Sequence, residues 1–330
     1  MRERSTILML CVAAVVAACS DGGSAPMAPR ASLEPGAARR AADPVWSAWS
    51  TPENLGGVIN TTGIEQHPTI SKDGLSLFFA SDRAGTRGGL DLWVSHRASK
   101  DDPWGAPENL GPNINSAGND LAAAFTRNGH TLYFHSNGRG GCGGADLFVA
   151  YRTHTQDDLA WEPAQNLGCS VNSSLEDAGP TIWEDKETGL TTLLFTSTRG
   201  GGLGDFDIYQ TTRVDDDSPW STPVNFTAIN SPFRDTRTTI TRDQLTLFIS
   251  SDVTGRTGGI GGQDLWMSTR EDLSSPWSTP VNLGAGVNSS TFDGAPSISF
   301  DGTELYFFSD RGGGFGKNDL YVTRRTRLHP

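Results

Sequence analysis

The feature that most constrains this 330-residue chain is a pattern that recurs about every 57 residues. Each copy contains a tryptophan followed five residues later by an asparagine, and successive tryptophans are 55, 57, 59 and 57 residues apart. The five tryptophans are Trp49, Trp104, Trp161, Trp220 and Trp277. An aspartate before an apolar residue recurs with them, at Asp91, Asp146, Asp207, Asp264 and Asp319. A fixed period of this size predicts a repeat architecture.

Each copy divides into four short strands. In the first copy we predict strands over 67–72, 75–81 and 90–96, and a fourth that starts at Trp104. The Asp73-Gly74 pair between the first two strands is a strong hairpin signal. The second strand is apolar on both faces in most copies, which is typical of a sheet covered on both sides. Four strands in each copy predict the blade of a β-propeller.

The ends of the repeat predict how the ring closes. The chain opens with a lone fourth strand at Trp49, and the last copy ends after its third strand near Thr323. Five complete blades therefore require the first strand to pair with the last copy, which also removes free sheet edges. We predict an all-β, five-bladed β-propeller with four antiparallel strands per blade over residues 45–326, followed by a C-terminal tail, 327–330.

The N-terminus reads as a secretion signal over residues 1–18. Two arginines precede an apolar segment that is too short to span a bilayer. The segment ends in Val16-Ala17-Ala18-Cys19, which resembles the bacterial lipobox and implies lipidation of Cys19; an ordinary signal peptide with an incidental cysteine is the alternative. Residues 19–44 have the composition of a disordered tether. We predict a lipid-anchored protein of the bacterial cell envelope, with Ser20 favouring the outer membrane.

Composition and motifs exclude several classes of function. The net charge of -12 argues against nucleic-acid binding, which needs a basic surface. The sequence contains no H-E-x-x-H, G-x-S-x-G, Walker A or C-x-x-C motif, so it indicates no catalytic residue and no cofactor. Its glycine-rich loops look like the calcium-binding nonapeptide, but that motif works in tandem and these copies lie more than 50 residues apart. We therefore predict no metal.

Charged residues recur on the propeller face that carries the loops between the second and third strands. An acid stands before each first strand, where five carboxylates should approach the central channel. These acids are Glu65, Asp120, Asp177, Asp235 and Asp293. The loops supply Arg83, Arg139, Arg199 and Arg311, while Arg256 is displaced in a longer fourth loop. The ring could bind a cation or a basic partner because close like charges need compensation, or each acid could simply pair with a loop arginine.

Two cysteines on this same face, Cys142 and Cys169, are candidates for a disulfide. An envelope location permits such a bond. Two separate thiols are the alternative.

The pattern P-x-I-S-x-D-G-x-x-L-x-F-x-S-D-R-x-G-G, followed by D-L-W-V, resembles the WD-like propeller repeat of the TolB type. The resemblance covers Trp49 to Thr323 and implies a bacterial envelope protein that acts by binding. We therefore expect a monomeric, non-enzymatic scaffold whose glycine-rich face binds an envelope protein or a cell-wall polymer, and whose only membrane contact is its lipid. A carbohydrate-binding propeller, or a glycoside hydrolase with axial carboxylates, is the alternative.

Overall fold

The computed structural model describes residues 45–185, 188–252 and 256–328. They belong to the second of two units into which the chain divides, Met1–Asp43 and Pro44–Pro330. The predicted signal peptide, the lipid site at Cys19, the tether and the last two residues of the tail lie outside them, so these stay predictions. The described residues form 22 strands and no helix. None of them therefore belongs to a helix that could cross a membrane.

Five four-stranded antiparallel sheets confirm the predicted five-bladed propeller. The inner strands are β3 (Glu65–Ile70), β7 (Asp120–Phe125), β11 (Asp177–Glu184), β15 (Asp235–Ile240) and β19 (Asp293–Ile298). The second strands are β4 (Ser76–Ser81), β8 (Thr131–Ser136), β12 (Thr191–Ser197), β16 (Thr246–Asp252) and β20 (Glu304–Ser309). The third strands are β5 (Asp91–His96), β9 (Asp146–Tyr151), β13 (Asp207–Arg213), β17 (Gln263–Thr269) and β21 (Asp319–Arg324). The outer strands are β6 (Glu108–Asn109), β10 (Gln165–Asn166), β14 (Val224–Asn225), β18 (Val281–Asn282) and, from the N-terminus, β2 (Glu53–Asn54).

Closure of the ring follows the predicted pairing. β2 pairs with β21, with Glu53 opposite Val322 and Asn54 opposite Tyr321. A further two-stranded pair, β1 (Val45–Trp46) with β22 (Arg327–Leu328), lies outside this blade. Residues 327–328, predicted as a tail, therefore belong to the closure.

The outer strands are shorter than predicted because the tryptophans precede them. Trp104 lies before β6, and the Arg97 guanidinium lies 4.4 Å from the centre of its ring. Every blade repeats this cation–π contact. The other pairs are Arg152 with Trp161, Arg213 with Trp220, Arg270 with Trp277 and Arg325 with Trp49. The tryptophan thus packs against the arginine at the end of the third strand and does not take part in the β-ladder.

Hydrophobic clusters lie between neighbouring blades and hold them together. One cluster joins Phe78 and Leu92 of the first blade to Leu132 and Phe148 of the second, and four further clusters join the other neighbours around the ring. Burial on both faces explains why apolar residues point to both faces in the middle of the second strands.

Each inner strand contains a β-bulge at the same place, two residues after its first residue. The residue at the bulge has positive φ in all five blades: His67 (52°), Ala122 (61°), Gly179 (57°), Arg237 (38°) and Ala295 (51°). Four of these are not glycine, and such conformations are costly outside it. Because the inner strands contact one another around the ring, the bulges encircle the axis of the propeller.

Candidate functional site

The glycine-rich loops are shaped by the repeated aspartate at the start of the third strand. In the fifth blade, the Asp319 carboxylate accepts hydrogen bonds from the amides of Phe315 (2.6 Å) and Gly316 (3.0 Å) and from the Asn54 side chain (2.8 Å). A Cβ on Gly314 would lie 2.3 Å from this carboxylate, so only glycine lets the loop wrap it. The equivalent aspartates also accept loop amides. The recurrence of these glycines therefore has a structural cause.

The five acids predicted at the channel mouth do start the inner strands, but their side chains are buried. Each pairs with an arginine of the next loop in its own blade. The pairs are Glu65–Arg83 (3.4 Å), Asp120–Arg139 (3.7 Å), Asp177–Arg199 (2.5 Å), Asp235–Arg256 (2.9 Å) and Asp293–Arg311 (2.5 Å). The carboxylates also accept hydrogen bonds from residues four positions earlier, as Asp177 does from Ser173.

None of these ten charged groups lines either of the cavities described below. The geometry thus fits the structural interpretation, in which acid and arginine satisfy each other. Arg256 joins this ring despite its displaced position, which the sequence did not indicate.

Cys142 and Cys169 form a disulfide, with their Cα atoms 5.5 Å apart. The bond ties a glycine-rich loop of the second blade to the connection that leads into the third. The residues lie 27 positions apart, and closing a loop of this size contributes about 3 kcal/mol in the chain-entropy model.

Two cavities open on opposite ends of the axis. The loop-face cavity, of about 540 Å³, is lined by the second and third residues of the inner strands, by residues at or just before the start of the third strands, and by the ends of the second strands. The hairpin-face cavity, of about 900 Å³, is lined by the ends of the inner strands and the turns that follow them. Arg237 lines both, so it stands between them.

Two of the bulge residues, His67 and Arg237, line the loop-face cavity together with His135 of the second blade. The rings of His67 and His135 lie 6.0 Å apart. Burial, with a contribution from the charge of Arg237, lowers the pKa of His135 to about 3 and lowers the pKa of His67 well below its ordinary value. Both imidazoles are therefore neutral near pH 7. The buried Nδ1 of His67 has no hydrogen-bond partner within the described part of the chain.

Three carboxylates from three different blades line the same cavity: Glu176, Asp252 and Asp310. Asp310 follows the repeat, because its carboxylate accepts a hydrogen bond from the amide of Phe292 (2.7 Å). Asp82, Asn137 and Thr198 occupy the equivalent positions and accept the equivalent amides.

Asp252 occupies this position in the fourth blade but departs from its neighbours. Across residues 45–185, 188–252 and 256–328, its carboxylate accepts no hydrogen bond from the amide of Arg234 or from any other group. Burial raises the pKa of Asp252; the charge of Arg234 opposes the rise and that of Asp235 adds to it. Asp252 thus lacks the hydrogen bond that its equivalents accept and lines the loop-face cavity.

Glu176 is the second departure from the repeat. Its equivalents are Ile64, Asn119, Arg234 and Phe292, so no other blade has a carboxylate at this position. The side chain of Glu176 is exposed, and one oxygen accepts a hydrogen bond from the amide of Ala145 (3.1 Å).

Recurrence in the repeat did not point to Glu176, Asp252, His67 or Arg237 as site residues. For Glu176, His67 and Arg237 the available signal was the opposite one, because each departs from what the other copies carry at its position. Asp252 is the same residue as its equivalents Asp82 and Asp310 and departs from them only in its hydrogen bonding. No group of three or more side chains that could hold a metal ion occurs among the residues that the structure describes.

Comparisons with known proteins yield matches only among solved structures. No family model and no curated protein matches the chain. An α-L-arabinofuranosidase from Podospora anserina, solved with cellotriose, superposes with a TM-score of 0.52 at 13% identity, covering 86% of this chain and 96% of that one. A GH43_1 enzyme from Xanthomonas citri, solved with xylotriose, gives 0.53 at 16% identity, covering 85% and 91%. Bacillus subtilis levansucrase gives 0.55 at 13% identity, covering 84% and 86%. At such identities the likeness establishes the fold.

These matches correct the interpretation drawn from the TolB-type resemblance. The matching structures are five-bladed propellers of carbohydrate-active enzymes and not TolB-type or WD-like repeat proteins. The expectation of a non-enzymatic, protein-binding scaffold is therefore wrong. The physical reason is that the repeat encodes hairpins, loop-wrapped aspartates and inter-blade packing. Propellers of many functions need these, so they carry no information about the ligand.

Proposed function

We propose that this chain is a glycoside hydrolase whose active site is the loop-face cavity. The observation that carries the proposal is the pair Asp252 and Glu176, two carboxylates that break the repeat symmetry in one axial cavity. Asp252 lacks the hydrogen bond that its equivalents accept, and Glu176 is a carboxylate where the other blades carry none. Five-bladed propellers with arabinofuranosidase, GH43 and levansucrase activities share the fold.

Glycoside hydrolysis needs one carboxyl that is protonated and one that is ionised. Asp252 suits the first role because burial raises its pKa. It would donate its proton to the glycosidic oxygen as the bond from that oxygen to the anomeric carbon breaks. Glu176 suits the second role: it would either remove a proton from the attacking water or attack the anomeric carbon itself. In both cases water supplies the hydroxyl of the new reducing end.

The activities and bound sugars of the solved neighbours support a substrate class. Arabinose-substituted xylan and xylo-oligosaccharides come first, and sucrose is the second choice. The neutral imidazoles of His67 and His135, together with Asn119 and Asn137, line the same cavity and offer hydrogen-bonding groups for sugar hydroxyls.

The test is release of sugar by the full chain from arabinoxylan, xylotriose and sucrose, measured by chromatography. Asp252→Asn should lower kcat about 100-fold or more, because a positioned general acid contributes about 10²–10⁴-fold. Asp82→Asn is the matched control. Asp82 has the same place in the first blade but lines neither cavity, so its substitution should leave the rate unchanged.

Equal rates for the two variants, or no sugar release by the wild type, would contradict the proposal. Binding of these sugars without release would instead favour a carbohydrate-binding propeller. Since Asp252 must be protonated, the rate should also fall as pH rises through its raised pKa.

A further inference from the structure

The hairpin-face cavity lies at the opposite end of the axis and carries an unusual set of cations. Lys72, Arg127 and Arg242 occupy the same position in three different blades, directly before the turn of the inner hairpin. Phe300 holds this position in the fifth blade. The charged groups lie 5.4, 5.8 and 4.7 Å from the centre of the Phe300 ring, so three cations share one aromatic ring.

Arg237 adds a fourth cation where the cavity meets the axis. Its guanidinium donates hydrogen bonds to the carbonyls of Ala122 (3.1 Å), Pro180 (2.7 Å) and Ala123 (2.8 Å) and to the hydroxyl of Thr69 (3.0 Å). No carboxylate in the described part of the chain forms an ion pair with it. Burial lowers the pKa of Arg237 to about 9. A buried cation without a counter-charge is costly, which makes an anion beside it favourable.

Among the residues that the structure describes, three acids line the cavity. Asp158 pairs with Arg152, and Asp73 accepts hydrogen bonds within its own hairpin turn. Glu184 is the third acid on the lining. Within the same described residues, Lys72, Arg127 and Arg237 form no ion pair with a carboxylate.

Two buried N–H groups in residues of the same wall lack hydrogen-bond partners among the described residues. The indole N–H of Trp183 lines the cavity and is buried without a hydrogen-bond partner among the residues the structure describes. The Nε of Arg237 is in the same condition. Buried donors without partners are rare in folded proteins, so each calls for an acceptor.

We propose that the hairpin-face cavity binds an anionic group, a phosphate or a carboxylate, at Lys72, Arg127 and Arg237. The ligand is a small polyanion or the anionic end of a larger molecule. Lys72 and Arg127 do not line the loop-face cavity, and anion binding here does not depend on hydrolysis there.

The experiment is calorimetric titration of the full chain at fixed ionic strength with sodium pyrophosphate and with trigalacturonate. Both should bind, and their affinity should fall as salt is raised because the cations at the mouth are exposed. Binding of pyrophosphate alone would identify a phosphate group as the ligand, and binding of trigalacturonate alone a carboxylate.

Arg127→Glu should weaken the binding of either anion about tenfold or more, and Arg87→Glu is the control. Arg87 is also exposed but lies in a glycine-rich loop on the opposite face and lines neither cavity. Both substitutions are at the surface, so circular dichroism should show an intact fold. Asp252→Asn should leave anion binding unchanged, which separates this proposal from that of hydrolysis. No anion binding, or equal loss in the Arg127 and Arg87 variants, would overturn it.

Discussion

Arg237 shows how one residue at a repeated position changes the axis of this propeller. Its equivalents are His67, Ala122, Gly179 and Ala295, and all five have positive φ at a bulge. The small residues leave space at the axis, and Arg237 fills it with a guanidinium that bonds to the inner strands of the first three blades. The backbone is thus conserved from blade to blade while the side chain sets the local chemistry.

The two buried histidines should make stability depend on pH. His135 and His67 have pKa values far below those of an unfolded chain, so their neutral forms stabilise the fold above about pH 6.5. As pH falls below this value, these histidines bind protons in the unfolded chain but stay neutral in the folded chain. The free energy of unfolding should then drop by about 1.4 kcal/mol per pH unit for each histidine.

Urea unfolding at pH 7 and at pH 5 would measure this loss. His135→Asn should show a smaller loss between these pH values than the wild type, because one titrating group has gone. His154→Asn, at an exposed position outside both cavities, is the control and should match the wild type. An equal loss in the two variants would contradict a neutral, buried His135.

At the scale of elements, each inner strand and the loop beside it are joined by one buried ion pair. In the third blade Arg199 bonds to Asp177 (2.5 Å) and to the carbonyl of Val171 (2.7 Å), and it lies over the rings of Phe195 and Tyr209. Arg199→Met leaves Asp177 as a buried charge without its partner. We expect a loss of about 3–5 kcal/mol in the free energy of unfolding.

The double variant Arg199→Met with Asp177→Asn should recover part of this loss, since it removes the charge that was left alone. Lys100→Met breaks an exposed pair with Asp301 and should cost less than about 1 kcal/mol. Denaturant titration at pH 7 compares the three. If Arg199→Met cost no more than Lys100→Met, the ion pairs would not hold the loops to the inner strands.

Sequence periodicity predicts the elements well because the same contacts recur in each blade. The tryptophan stacks on an arginine, the aspartate gathers loop amides, and the Asp73-Gly74 turn joins two strands. Periodicity also yields the number of blades and the closing pair. It cannot place the bulges, because residues as different as Ala122 and Arg237 occupy them. The candidate site escaped prediction because Glu176 differs in identity from its equivalents, while Asp252 differs only in its hydrogen bonding, which the repeat pattern does not show.

At the scale of the whole molecule, the ring closes through the N-terminal segment. β2 supplies the outer strand of the fifth blade, and the Asn54 side chain bonds to Asp319 across 265 residues of sequence. Arg325 lies between the rings of Trp46 (4.1 Å) and Trp49 (4.5 Å). The Trp49 ring also packs edge-on against Phe248 of the fourth blade, 6.1 Å away.

Two truncations would test whether this closure stabilises the whole ring. Deleting residues 1–44 keeps β1 and β2 and should leave the melting temperature unchanged. Deleting residues 1–55 removes both strands and the two tryptophans, which exposes the edge of β21 and uncovers Phe248. We expect a melting temperature lower by roughly 10 °C or more and a tendency to aggregate through the free edge. Differential scanning calorimetry would measure the melting temperature, and light scattering would measure aggregation. Equal melting temperatures of the two truncated proteins would mean that the other four blades and the three remaining strands of the fifth are stable without closure.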